Sequence, residues 1–247
     1  MKGNPWVDLK DPRREIAELR DGNFLWSRPE SHRRPLLELL PKAKAQLLQD
    51  LFVVSQLEFK RNGFFVEFGA CDGLDSSNTF LLENEFAWEG ILAEPARVWH
   101  ERLRSQRRAL ISTRCVWSRS GETLRFNETD WAGLSTIASF SDTDRWAAKR
   151  LNGFQYDVET ICLNDLLDSA GAPGWMDYLS IDTEGSELRI LEAFDFSKYR
   201  FSVITCEHNF TPARAAIAEL LTRHGYVRKH ETLSQFDDWY VHRDVLS

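Results

Sequence analysis

From residue 63 onward, short apolar runs alternate with stretches of helical spacing, and four of those runs end on polar or acidic residues. FFVEF runs into GACDG, GILA into EP, DYLSI into DTEGSE, and FSVITC into EHN. No other feature restricts the fold as strongly. Parallel strands need a crossover between them, usually a helix, and a sheet covered on both faces has strands that read as continuous apolar runs. The pattern predicts strands over residues 64–68, 90–93, 109–116, 177–181 and 201–206. It predicts helices over 78–86, 97–105, 163–170, 185–194 and 212–224. Between 121 and 162 the reading is looser, with β-like pieces at 122–126, 135–140 and 156–161. Residues 226–230 and 236–241 read as an antiparallel pair. The expectation is a doubly wound α/β sheet, mostly parallel with a C-terminal antiparallel strand pair, spanning residues 63–247. Ligands bind such sheets at the carboxyl ends of the strands, so the residues just after each strand are the ones to inspect.

Residues 1–62 differ. They are rich in Arg, Lys, Glu and Leu, and Pro5, Pro12, Pro29, Pro35 and Pro41 break them into pieces. After Pro41, apolar residues at Leu47, Leu48, Leu51, Phe52 and Val54 predict a helix over 42–60. This region is expected to be an N-terminal helical extension or lid. The 247 residues suit one large domain with a small appendage, whose core needs no disulfide or metal staple. A net charge of −7 argues against nucleic acid as a general partner. No run approaches the ~20 apolar residues of a membrane span. The first fifteen residues lack the apolar stretch of a signal peptide. Cys71, Cys115, Cys162 and Cys206 are scattered, with no C-x-x-C pair, and read as free thiols in a reducing cytoplasm. The sequence sets no oligomeric state.

The strand ends carry the chemistry. After the first strand come Glu67, Gly69, Asp72 and Gly73. A dinucleotide site would want G-x-G-x-x-G there, to seat a pyrophosphate on the next helix. Two carboxylates would repel that group; they suit a ligand with a cationic ammonium and sulfonium, such as S-adenosylmethionine. The bland alternative is a solvated loop with glycines for turning. Glu94 ends the second strand about 21 residues on, the spacing of a ribose-binding acid in this fold type, or is a surface acid before Pro95. Val116 and Trp117, at the end of the third, either sandwich an adenine ring or belong to the core. Asp182, Glu184 and Glu187 follow the fourth strand. Glu187 reads as a helix N-terminal charge, whereas Asp182 faces the expected cleft, where a lone carboxylate is costly unless used or paired. Glu207, His208 and Asn209 end the fifth. With Asp182 and Glu184 they would line one side of the cleft, as a proton-abstracting set or as oxygen ligands of a divalent cation such as Mg. Trp131 lies in the loose segment; its aromatic face would suit a sugar ring, though surface packing is the commoner case.

FFVEFGACDGLDSSNTFLLE, ILAEP, DYLSIDTEGSELRILEAFDF, ITCEHN and FDDWYV, in that order, resemble the FkbM family of S-adenosylmethionine-dependent methyltransferases. The resemblance runs from about residue 63 to 241 and implies the Rossmann-like class I methyltransferase sheet. It also implies O-methylation of sugar, glycan or natural-product hydroxyls. It places Glu67, Gly69, Ala70 and Gly73 in the cofactor loop, and Ser77 and Asn78 at the polar start of the next helix. Glu94 matches the ribose acid, and Asp182 with Glu184-Gly185 the I-D-x-E-G segment. Many members carry Asp where this chain has Glu67, and Asn where it has Cys71, which puts any contact from position 71 in doubt. The first 62 residues fall outside the match.

Methyl transfer needs a base for the acceptor hydroxyl. Asp182 is the first candidate, His208 and Glu207 the next, and Asp182 with Glu207 would hold a cation. Two other classes stay open: a metal-dependent hydrolase using the DTEGSE carboxylates, and a non-catalytic methyltransferase-like binding module.

Overall fold

The computed structural model describes residues 12–246. The first eleven residues of the expected extension, including most of the stretch read as lacking a leader, lie outside them. The chain divides into two compact units between Lys42 and Ala43. The first holds α1 (Pro12–Trp26) and α2 (Glu30–Leu39). No described helix is long and apolar enough to cross a membrane.

The second unit contains a seven-stranded sheet. Along the chain it runs through α3 (Gln49–Gln56), β1 (Phe64–Phe68), α4 (Phe80–Phe86), β2 (Glu89–Ala93), α5 (His100–Gln106) and β3 (Leu110–Ser112). Then come β4 (Cys115–Trp117), β5 (Thr123–Glu128), β6 (Thr136–Ile137), α6 (Ala147–Arg150), β7 (Phe154–Cys162) and α7 (Leu163–Ser169). It ends with β8 (Trp175–Ile181), α8 (Glu187–Glu192), β9 (Arg200–Glu207), α9 (Ala213–Arg223), β10 (Tyr226–Lys229) and β11 (Asp237–His242). The order across the sheet is β10-β11-β9-β8-β1-β2-β3. Only β11 runs against its neighbours, pairing Asp237 with Glu207 on one side and Tyr226 with His242 on the other. This is the doubly wound arrangement expected from the sequence. The strand order reverses between β1 and β8, so the crevice lies at their carboxyl ends.

Continuous apolar strands follow from burial on both faces. On one face Val66, Phe68, Leu179 and Ile204 pack against Leu167 of α7, Leu191 of α8 and Leu221 of α9. Toward the other, Phe52 of α3 stacks on Trp239 of β11 with ring centres 4.7 Å apart. Each such side chain, fully buried, contributes about 1.5–3 kcal/mol.

Two expectations change. The helix over 42–60 contracts to α3, because Leu48 sits in left-handed backbone at φ 66°. There Asp50 accepts the Lys44 and Ala45 amides and turns the chain. The strand over 109–116 splits: β3 stays in the large sheet, while β4 leaves it to pair in parallel with β7. β7 also pairs antiparallel with β5, and β5 with β6, giving a second four-stranded sheet from the segment whose pattern was loose.

Candidate active site

At the carboxyl ends of β1, β2, β8 and β9 opens a cavity of about 660 Å³, well within the size range of small-molecule sites. Its base is the turn after β1. Gly69 has φ 71°, and a Cβ there would stand 1.8 Å from the Asp182 carbonyl oxygen, so only glycine lets β1 and β8 end side by side. Gly73, also left-handed, answers to packing: a Cβ there would meet Leu103 and Arg107, away from the cavity. Asp72 folds the loop by accepting the Leu74 and Asp75 amides at 2.9 Å each, and pairs with Arg102 at 2.8 Å.

Glu67 points away from the cavity. It accepts the Asn78 amide at 2.7 Å, the Ser77 hydroxyl at 3.1 Å and the Thr79 hydroxyl. Arg107, fully buried, lies 3.7 Å from it and also binds Glu83, the Gly73 carbonyl and Thr79. The loop's return is thus fastened to β1 through a buried ion network. Asn78, which lines the cavity, donates to Ser180 at 2.8 Å, and its buried Oδ1 has no hydrogen-bond partner among the described residues.

Glu94 is buried at the end of β2. One carboxylate oxygen accepts the Cys71 amide at 2.8 Å and the other the Ala96 amide at 2.7 Å. Burial pushes its pKa up to about 7, against the pull of those two amides. Cys71 adopts φ 48°, a conformation Asn also tolerates, and serves the site through its main chain. Beside Glu94 stands Trp99, which sequence reasoning did not single out; its buried indole N–H has no partner.

At the ends of β8 and β9, three carboxylates converge. Oxygens of Asp182, Glu184 and Glu207 lie within 4.8 Å of one another. Burial raises the pKa of all three, and the charges of Asp182 and Glu184 push Glu207 up further. Glu207 Oε2 and Asn209 Oδ1 are buried with no hydrogen-bond partner. Glu184 is held by the buried Arg150 at 2.6 Å and by Asn209 at 3.3 Å. Glu187 opens α8, as its charge predicts, and one of its oxygens accepts from the Thr183 amide, the Thr183 hydroxyl and the Gly185 amide, each at 3.0 Å. It fixes the loop that presents Asp182.

Of the residues expected at the site, Gly69, Ala70, Asp72, Ser77, Asn78, Glu94, Val116, Trp131, Asp182, Glu184, Glu207 and Asn209 line the cavity; Glu67, Gly73, Trp117 and His208 do not. Trp117 alternates with Val116 on β4, and its ring meets Phe140 edge-on at 6.0 Å. His208 stands between Glu207, the last residue of β9, and Asn209, which is in left-handed backbone at φ 45°. Its Nδ1 accepts the Phe210 amide at 2.9 Å, and its Nε2 lies 3.7 Å from Asp238. Burial lowers its pKa.

Arg150 and Asp144 went unnoticed in the sequence. The guanidinium grips Asp144 through two bonds of 2.7 and 3.0 Å, donates to the Leu134 carbonyl at 2.8 Å, and reaches Glu184. It ties the loop between β6 and α6, one wall of the cavity, to the loop after β8. No short motif marks a pair 34 residues apart.

The family model for the methyltransferase FkbM domain matches residues 67–228. No curated protein matches the chain. Among solved structures, precorrin-6y C5,15-methyltransferase from Geobacter metallireducens GS-15 is 13% identical, with a TM-score of 0.40 over 78% of this chain and 85% of that one. A protein of Pyrococcus horikoshii assigned as an RNA methyltransferase is 13% identical, with a TM-score of 0.39 over 78% of this chain and 80% of that one.

Proposed function

The chain belongs to the methyltransferase FkbM domain family, and from that premise we propose that it moves the methyl group of S-adenosylmethionine to a hydroxyl oxygen of a sugar, glycan or natural-product acceptor. The observation that carries this reading is the make-up of the cavity wall. The ends of β1 and β2 bring the Gly69 turn and Glu94 to the same cavity that Asp182, Glu207 and Asn209 line from the ends of β8 and β9.

The residues present fit the cofactor. Both Glu94 oxygens keep lone pairs beyond their two amide bonds and can accept ribose hydroxyls. Val116 and Trp99 offer apolar surface for the adenine, and the unpaired Asn78 Oδ1 an acceptor for an ammonium. When bound, the cofactor supplies an electrophilic methyl group on a sulfonium. The protein must then hold the acceptor oxygen about 3 Å from that methyl group and remove its proton. Asp182 is placed for the second task. Its raised pKa brings it toward the working pH, where a general base is most effective. Glu207 brings a second carboxylate oxygen within 4.8 Å of it. A divalent cation such as Mg fits the same wall, since Asp182, Glu207 and Asn209 offer oxygen ligands, two of them orphaned. It would neutralise the charge of this pair. Four free thiols support a cytoplasmic setting.

Asp182→Asn tests the reading. The variant should bind S-adenosylmethionine within a few-fold of the parent. It should lose about 10²–10⁴-fold in S-adenosylhomocysteine release over a panel of hydroxylated acceptors. Unchanged turnover would remove Asp182 from the mechanism.

A further inference from the structure

The floor of the cavity is acidic, yet its rim carries cations that the protein leaves without a counter-charge. Arg145 lines the cavity. Among the described residues no carboxylate pairs with it; its neighbour Asp144 is taken by Arg150. Arg145 lies instead among rings, its guanidinium carbon 4.8 Å from the centre of Trp146, 5.8 Å from Phe210 and 6.0 Å from Phe236. Four residues on, Lys149 Nζ stands 4.2 Å over Trp131, again with no carboxylate partner among the described residues. Arg102 makes the contrast: it also lines the cavity, but Asp72 neutralises it.

Ring faces attract a cation without accepting its N–H groups as a carboxylate would. The planar fork of Arg145 is therefore free to grip a carboxylate or phosphate through two parallel bonds. Phe210, 59% exposed, offers a flat apolar face beside it, and Trp131, 62% exposed, offers one beside Lys149. Within the cavity the acids repel an anion. A ligand with one charged end would lodge that end at the rim and turn its neutral end inward.

We infer that the acceptor is anionic: a ring-bearing molecule whose carboxylate or phosphate is held by Arg145, with Lys149 adding charge at the rim. That the inward end carries the hydroxyl to be methylated rests on the methyl-transfer reading above; the anion site itself does not.

The test is calorimetry on the full chain, first with S-adenosylhomocysteine, then on the saturated protein with three probes. These are methyl β-glucopyranoside, the matching methyl glucuronide, and glucose 1-phosphate. The charged probes should bind at least tenfold more tightly than the neutral one, and the ratio between them tells carboxylate from phosphate. Arg145→Gln should reduce that preference by about 10–100-fold, Lys149→Gln by less, and neither should change binding of the neutral glucoside. Arg145→Lys should retain part of the preference. Equal or undetectable binding of charged and neutral probes overturns the inference, as does an unchanged preference in Arg145→Gln. Failure of S-adenosylhomocysteine to bind counts against the methyl-transfer reading instead, and the sugar titrations, run without it, still decide the anion site.

Discussion

Replacing Arg150 by Met keeps most of the side-chain volume and removes the charge that joins two walls of the cavity. The guanidinium is fully buried, and four hydrogen bonds leave with it: two to Asp144, one to Glu184 and one to the Leu134 carbonyl. Breaking a buried pair on one side costs about 3–5 kcal/mol, because the partner charges stay behind. At about 2–4 °C per kcal/mol for a domain of this size, Tm should fall by ~6–20 °C. The loss should depend on pH with a definite sign. Arg150 pulls the Glu184 pKa down, so without it the folded-state pKa rises further above the unfolded one. Stability tied to a raised carboxyl pKa is present at low pH and lost as pH rises through the folded value. Glu184 titrates at about 9 in the folded parent, so below that value both proteins carry it protonated; the variant should keep a level deficit up to about pH 8 and fall further behind the parent above about pH 9. Thermal unfolding followed by tryptophan fluorescence measures this, and hydrogen exchange over residues 132–150 shows whether the wall opens by itself. Adding Glu184→Gln should recover part of the loss. A Tm shift under about 3 °C with unchanged exchange in that segment, or a deficit that stays level from pH 8 to pH 10, would refute the reasoning.

Gly69→Ala should leave little folded protein, since its Cβ would overlap the Asp182 carbonyl; soluble yield and Tm report it, and a normal Tm would show that the turn relaxes. Glu94→Gln replaces one of two amide-accepting oxygens by a donor and should weaken S-adenosylmethionine binding by about 1–3 kcal/mol. In the parent that affinity should rise as pH passes through about 7, where Glu94 ionises, and in the variant it should stay level. Glu207→Gln should raise stability above pH 7 by ~1–3 kcal/mol while lowering activity, because it removes a buried acid with an orphaned oxygen; equal stability at pH 5 and 8 relative to the parent would contradict this. Magnesium binding should release protons, seen as a buffer-dependent calorimetric enthalpy, and turnover that survives exhaustive chelation would exclude the cation.

The sheet was legible because parallel strands buried on both faces leave continuous apolar runs, and FFVEF, DYLSI and ITC are such runs. The site was legible where a strand end fixes it: Gly69, Glu94, Asp182 and Glu207 all stand within two residues of one. Side-chain parity was less visible. β9 ends at Glu207, and left-handed backbone at Asn209 and Phe210 turns the chain there, so no alternation in the sequence tells which way His208 faces. Trp117 is a different case. Its placement depends on β4 leaving the main sheet, and residues 109–116 carry no break as clear as a glycine or proline to announce it. The buried ion network of Glu67 left no local mark, because its partner Arg107 lies 40 positions away. Arg150 was missed for the same reason: long-range ion pairs have no period and no spacing.

The acids at the strand ends can now be separated by what each already binds. Glu67 is met by Arg107 and three donors, and Asp72 by Arg102 and two amides. Glu184 is met by Arg150, and Glu187 by three groups of the loop it closes. Two of the three DTEGSE carboxylates are therefore committed to holding the wall together, which weakens a hydrolase built on that triad. Glu94 has one amide on each oxygen and room for a ligand. At the ends of β8 and β9, Asp182 and Glu207 remain with neither a cation nor a backbone donor on their carboxylates among the described residues. Two like charges this close cannot both ionise cheaply, so one keeps a proton while the other accepts. A pair in that condition can take a hydroxyl proton and pass it along. Under the proposed methyl transfer, a sulfonium or a divalent cation brought beside it would ease the repulsion that burial leaves uncorrected, and cofactor binding and proton removal would draw on the same charge.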